Sequence, residues 1–169
     1  MYKVKGKPWA YSGAIDVSDC ATAKEVMLKA GLNFDVAKCE LVGKMPIKLT
    51  GTDEELDRII KEQKEGAHVF GTDIYRKCDN AFATYRTDYN IPLGVVKSKY
   101  TIVQNNDAFN FFDGAIGKNS AIWQTAGFWG NGERIFVSAK LPNNILVKGD
   151  PVENYLVFTN THDGSGGVK

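Results

Sequence analysis

The sequence is poor in the residues that build metal centres and disulfide frameworks: two histidines and three cysteines in 169 residues. Cys20, Cys39 and Cys78 form no CxxC pair and are odd in number, so they read as reduced thiols of a cytoplasmic protein. His68 and His162 lie far apart with no cysteine near either, so no metal site is expected. No apolar run approaches the ~18 residues of a membrane-spanning helix, and the opening MYKVKGKPWAYSG lacks the apolar core of a signal peptide. An excess of either charge is also missing. Lys and Arg number 21 against 20 Asp and Glu, a net charge of +1, so no global field draws the chain to nucleic acid or to a membrane. The phosphate-loop pattern GxxxxGK[ST] is absent, because Gly117-Lys118 is followed by Asn119. Gly130-x-Gly132 lacks the third glycine of a dinucleotide fingerprint, since Ile135 stands there. No cofactor is expected.

What is present is an ordinary globular composition, 43% hydrophobic and 24% charged. A chain of this length buries roughly 68–70% of its unfolded surface, enough for a core without disulfide or metal. No repeat or low-complexity linker divides it, so residues 1–169 read as one domain. Lysines alternate with Tyr2, Val4 and Gly6 near the start, a strand period. Ser18-Asp19 followed by Ala23, Val26, Met27 and Ala30, with Gly31 beyond, predicts a helix over 19–30. Residues 34–42 read as a strand. Thr52 and Glu55 fit a capping box opening an acidic helix over 53–65, which makes 45–70 a helical insertion.

Strands follow over 81–87 and 93–98, joined by a loop that ends at Pro92. Asn105-Asn106-Asp107 is read as the cap of a short helix carrying Phe109, Phe112 and Ile116 on one face, with Phe111 exposed. The last third alternates as a meander over 121–129, 134–141, 145–147 and 152–161, with a hairpin turn at Gly130-Asn131-Gly132. The expected class is α+β: a mostly antiparallel sheet with about three helices packed on one face, in the order β-α-β-α-ββ-α-ββββ.

Two segments carry candidate chemistry. Between 74 and 100 stand five bases and two acids, with tyrosines interleaved, and Lys3, Lys5 and Lys7 lie beside Trp9. Single-strand binders combine cations that track phosphates with aromatic faces that stack bases. The candidate contacts are Lys3, Lys5, Lys7, Trp9, Tyr85, Arg86, Lys97, Lys99, Tyr100 and Arg134. Against this stands the ordinary role of tyrosine as a strand residue and of lysine as a guard of sheet edges. Trp123, Phe128, Trp129 and Phe136 read as core and cross-strand pairs.

The second segment is the polar, glycine-rich run after the apolar stretch 155–158. Its ligand-loop candidates are Asn160, His162, Asp163, Gly164, Ser165 and Gly166, with backbone N–H groups holding an anion and His162 or Asp163 orienting it. The plain alternative is a turn. His162, Asp163 and Ser165 are triad residue types, but neighbours on an extended chain point to opposite faces, so no triad and no catalytic residue is assigned.

Several phrases together resemble a phage/plasmid-like family of unknown function, domain of unknown function 932. They are Pro8-Trp9-x-x-x-Gly13, Ala30 to Val36, Tyr85-Arg86-Thr87-Asp88, Leu93-Gly94-Val95-Val96, Tyr100 to Asn105, Thr125-Ala126-Gly127, Gly132 to Val137 and Thr159 to Gly166. Family chains continue beyond the His-Asp-Gly-Ser-Gly phrase, so the resemblance implies a shortened member or a fragment. It carries no residue roles. It implies, by analogy, a part in the DNA metabolism of mobile genetic elements, including recombination.

Three functions follow as expectations. The first is a cytoplasmic, homo-oligomeric protein that binds or anneals single-stranded nucleic acid. The second is an enzyme or a binder of phosphate or nucleotide at Asn160–Gly167. The third is a structural protein, or one that inhibits a host protein.

Overall fold

The computed structural model describes residues 13–46, 52–70, 73–116, 121–142 and 145–166. The predicted first strand, with Lys3, Lys5, Lys7 and Trp9, lies outside the described residues, as does Gly167. The elements are β1 (Ala14–Asp16), α1 (Ala23–Lys29), β2 (Val36–Pro46), α2 (Asp53–Lys64), β3 (His68–Phe70), β4 (Asp73–Arg86), β5 (Ile91–Lys97), α3 (Asn105–Ile116), β6 (Ile122–Trp129), β7 (Arg134–Lys140), β8 (Ile145–Val147), β9 (Asp150–Val152) and β10 (Tyr155–Thr161). All strand pairs are antiparallel, and the class is α+β. None of the described helices is long and apolar enough to cross a membrane.

Local chemistry sets the helix ends, and in three places it differs from the sequence expectation. α1 begins four residues later than expected, because Thr22 and Glu25 form the capping box. The Glu25 N–H donates to Thr22 Oγ1 and the Thr22 N–H to Glu25 Oε2, both at 3.3 Å. Ser18 instead bonds Asp16, and Asp19 pairs with Lys29. The helix closes in a Schellman turn, with Leu32 N–H on Met27 O, Gly31 N–H on Leu28 O and Gly31 at φ +67°. Thr52 has N-cap dihedrals but makes no side-chain cap bond, so the expected second capping box is not formed. Asn105 does not cap α3 either; it is the first helical residue and its side chain turns inward.

The single sheet of the sequence reading is resolved into three. One has the order β1-β6-β7-β10. In a second, β2 lies along one edge of β4 while β3 and β5 share the other. The third is the hairpin β8-β9, whose residues are all exposed. The expected insertion is thus partly sheet, since β2 runs on to Pro46 and β3 pairs with the start of β4. The polar start of β4 gives no alternation to read; its partners dictate it. Between Glu40 and Val42 the β2–β4 register shifts, and Asn80 takes φ +56° there.

Only α1 and α3 pack on the first sheet; α2 has no buried residue and stands beside β3, tied to β4 by Arg76 Nε donating to Glu62 at 2.8 Å. The core lies between the first sheet and the helix pair. Val26, Met27, Phe109 and Phe112 meet Trp123, Ile135, Val137 and Phe158. Phe112 sits with its ring centroid 5.6 Å from Trp123 and 5.8 Å from Phe158. Phe112→Ala is expected to cost about 3–5 kcal/mol of stability in urea unfolding. Phe111→Ala, at a position 68% exposed, should stay within about 0.5 kcal/mol.

Candidate functional site

The end of β10 runs across the second sheet and locks onto it. Thr84 Oγ1 donates to His162 O at 2.6 Å, Tyr100 OH donates to Thr161 O at 2.7 Å, and the His162 N–H donates to Glu133 O at 2.7 Å. The approach is so close that a Cβ at Gly94 would stand 2.5 Å from the Asp163 backbone, which fixes glycine there.

The His162 ring is fully buried, with Nε2 2.8 Å from Asn105 Oδ1. Because Asn105 Nδ2 donates to Leu32 O and Phe34 O, its Oδ1 must accept, so Nε2 carries the imidazole proton. Nδ1 is then a buried acceptor without a hydrogen-bond partner among the described residues. Desolvation lowers the His162 pKa to about 4, against a small opposing pull from Asp163. His162 therefore faces the core and does not orient a ligand in the loop. Asp163 Oδ1 accepts from Ser165 N at 2.8 Å and from Ser165 Oγ at 2.6 Å, so the three triad residue types do not converge.

The native pKa of His162 is depressed, so its contribution to stability is present above the unfolded value of 6.5 and is lost as pH falls toward 4. Urea unfolding is expected to show a loss of about 2 kcal/mol between pH 7 and pH 4.5 attributable to this ring. A His162→Asn variant should have a correspondingly flatter pH profile over that window.

Of the basic and aromatic candidates, the structure encloses two. Arg86 is 7% exposed; its Nε and Nη2 donate to Asp88 at 3.0 and 2.7 Å, and its Nη1 to Asn131 O at 2.8 Å. Its guanidinium lies 3.9 Å from the Phe34 ring centroid. It clamps the Gly130–Gly132 turn and is withdrawn from any phosphate. Tyr100 points inward to Thr161, and its burial raises the phenol pKa. Tyr85 and Lys97 stand on the opposite face of the second sheet from Arg86 and Thr84, since side chains alternate along β4 and its register partners in β5. Lys97 and Lys99 are exposed. The expected hairpin surface is thus divided between two faces.

Arg134 is placed differently. Trp129, Arg134 and Thr161 are register partners across β6, β7 and β10, a row on one face of the first sheet. Trp129 is 43% exposed and packs against Phe136, with ring centroids 4.9 Å apart. The Arg134 side chain is 55% exposed; Nη2 donates to Ser165 Oγ at 3.0 Å and Nε lies 3.7 Å from Asp163 Oδ2. Partial burial works to raise the Asp163 pKa, but the Ser165 donors and Arg134 outweigh it and leave the carboxyl below its usual range.

Two depressions flank this pair. One of about 370 Å³ is lined by Trp129, Gly130, Glu133 and Arg134. Another, of about 230 Å³, is lined by Trp129, Arg134, Thr159, Asn160, Thr161, Ser165 and Gly166. Asn160 is committed to the fold: Nδ2 donates to Val103 O at 3.0 Å and Oδ1 accepts the Thr161 N–H at 2.9 Å. The structure thus unites Arg134 with the loop residues Asp163, Ser165 and Gly166, while Gly164 packs against Val95 and Val96. Sequence reasoning took Trp129 for a core or cross-strand residue rather than a stacking platform, and did not place Thr161 among the ligand-loop candidates. The signal was the Gly130-x-Gly132 turn, which makes Trp129 and Arg134 cross-strand neighbours.

The architecture defines a three-sheet α+β protein with a groove where an aromatic ring and a cation meet a polar turn. Residues 92–169 match the model of the family described as Domain of unknown function (DUF932). The match takes in α3, the first sheet from β6 onward and the whole groove, whereas the phrases read as similar at 8–13, 30–36 and 85–88 lie outside it. No curated protein and no solved structure matched the chain.

Proposed function

We propose that the protein binds single-stranded nucleic acid, with the Trp129–Arg134 groove as the element that holds a nucleotide unit. The observation that carries this reading is the pairing of a half-exposed indole with a half-exposed guanidinium across one register position, with a depression on either side. An indole stacks a base irrespective of its identity, and a guanidinium matches phosphate oxygens. Exposed Lys97 and Lys99 supply further cationic charge. Binding or annealing of strands in the DNA metabolism of a mobile element is the role we assign to it.

Fluorescence anisotropy with a labelled single-stranded oligonucleotide, titrated at several salt concentrations, tests the reading. Trp129→Ala is expected to weaken binding by about 1–3 kcal/mol, the worth of one stacked base. Arg134→Ala should weaken it across sequences and reduce the salt slope by about one unit. Absence of binding at low salt, or binding that neither variant alters, would overturn the proposal.

A further inference from the structure

Beside Trp129 and Arg134, the larger depression of about 370 Å³ is lined by Glu133, a half-buried residue of the hairpin turn. Backbone bonds fix where this residue stands. Glu133 O accepts the His162 N–H at 2.7 Å, and Glu133 Oε2 accepts the Asn131 N–H at 2.5 Å. The turn is held in its own right, by the Gly132 N–H on Trp129 O at 3.1 Å and by Arg86 Nη1 on Asn131 O. A Cβ at Gly130 would collide with the Glu133 carboxylate, standing 3.1 Å even from the farther oxygen. Glycine at that position, with φ +62°, therefore admits the carboxylate next to Trp129. Oε1 keeps its accepting capacity, because none of the described residues donates to it, and Oε2 retains a second lone pair.

An ionised carboxylate only accepts hydrogen bonds and repels the phosphates of a strand, so its natural partner is a base edge that donates. A base stacked on Trp129 shares this small space with it. Thymine has one ring N–H set between two carbonyl oxygens, and adenine and cytosine offer an amino group beside an accepting ring nitrogen. Guanine offers two adjacent donors, N1–H and the 2-amino group, spaced for the two oxygens of one carboxylate, and such charge-assisted paired bonds are the strong ones. We propose that Glu133 makes the Trp129 subsite selective for guanine in a single strand, its two carboxylate oxygens accepting from N1–H and from the 2-amino group. This rests on the single-strand reading above: the indole takes any base, and the carboxylate beside it chooses among them.

The test uses short, end-labelled thymidine strands in which the central base is guanine, hypoxanthine, adenine, cytosine or thymine, titrated by fluorescence anisotropy. The guanine strand is expected to bind about tenfold more tightly than the all-thymidine strand, the worth of a hydrogen bond to a charged group. Hypoxanthine keeps N1–H and lacks the 2-amino group, so its strand should fall between the two. Glu133→Gln, which can still accept the Asn131 N–H, should bring the guanine-to-thymine ratio toward one without weakening the thymidine strand, and thermal melting checks that it folds. The hypoxanthine comparison is made on the unaltered protein and keeps the test open if the variant does not fold. Equal affinity for all five strands, or preference for a base other than guanine, overturns the guanine inference and leaves the single-strand reading standing. Absence of binding by any strand overturns both. A guanine preference that is unchanged in Glu133→Gln, or equal for hypoxanthine, also overturns the inference, because another group then reads the base.

Discussion

An imidazole buried without a charged partner must stay neutral, and the requirement that it do so constrains everything around it. His162 meets α3 through Asn105, and its backbone meets β4 through Thr84 and the β6–β7 turn region through Glu133. Asn105 is held in turn by the carbonyls of Leu32 and Phe34, just past the Schellman turn of α1. One residue thereby ties the end of β10 to the second sheet and to both core helices. Protonation would place a charge in a desolvated site where the pull of Asp163 does not offset the lost hydration, which explains why the ring titrates so low. The groove depends on this junction, because the 163–166 turn can stand over Thr161 only if the chain leaves β10 along the path that His162 fixes.

Arg86 performs the corresponding task on the other side of Phe34. Its guanidinium covers one region of the ring, and Gly132, where a Cβ would come within 2.7 Å of Phe34, packs against another. The bond from Arg86 to Asn131 O positions the hairpin turn, and the turn sets Trp129 opposite Arg134. Two arginines that look alike in sequence thus act at successive levels: Arg86 shapes the hairpin, and Arg134 is presented by it.

Short-range chemistry explains how much of this was legible. Elements whose signals are local were readable: the α3 stripe of Phe109 and Phe112, the Gly31 helix stop, the Gly130–Gly132 hairpin and the antiparallel α+β class. Where two local signals compete, tertiary partners decide. Ser18 and Thr22 are both plausible caps, and only Thr22 has a glutamate three residues on that reaches back. The start of β4 has no apolar alternation, because Arg76 and Lys77 face the carboxylates of Glu62 and Glu40 rather than a core. At the site, residue types suggested the loop and Arg134 separately; their union was invisible because it depends on β10 lying beside β7. The burial of Arg86 and Tyr100 was equally unreadable, since exposure on a strand depends on which face the rest of the chain covers.

Charge shows the same dependence on packing. The near-neutral total conceals an acidic helix and a basic stretch from 74 to 100, and the fold neutralises part of the basic stretch pair by pair. Arg76 pairs with Glu62 and Glu65, Lys77 with Glu40, and Arg86 with Asp88, whereas Lys97 and Lys99 make no ion pair among the described residues. Arg134 falls between these two groups. Its carboxylate neighbour is 3.7 Å away, against 2.7 Å for Arg86 and Asp88, and the Arg134 side chain remains 55% exposed. An exposed ion pair of that kind is worth about 0–1 kcal/mol. A phosphate that can take two parallel N–H bonds from a guanidinium competes well against it. The pairing with Asp163 and Ser165 therefore orients Arg134 over the groove without binding it tightly enough to exclude an anionic ligand.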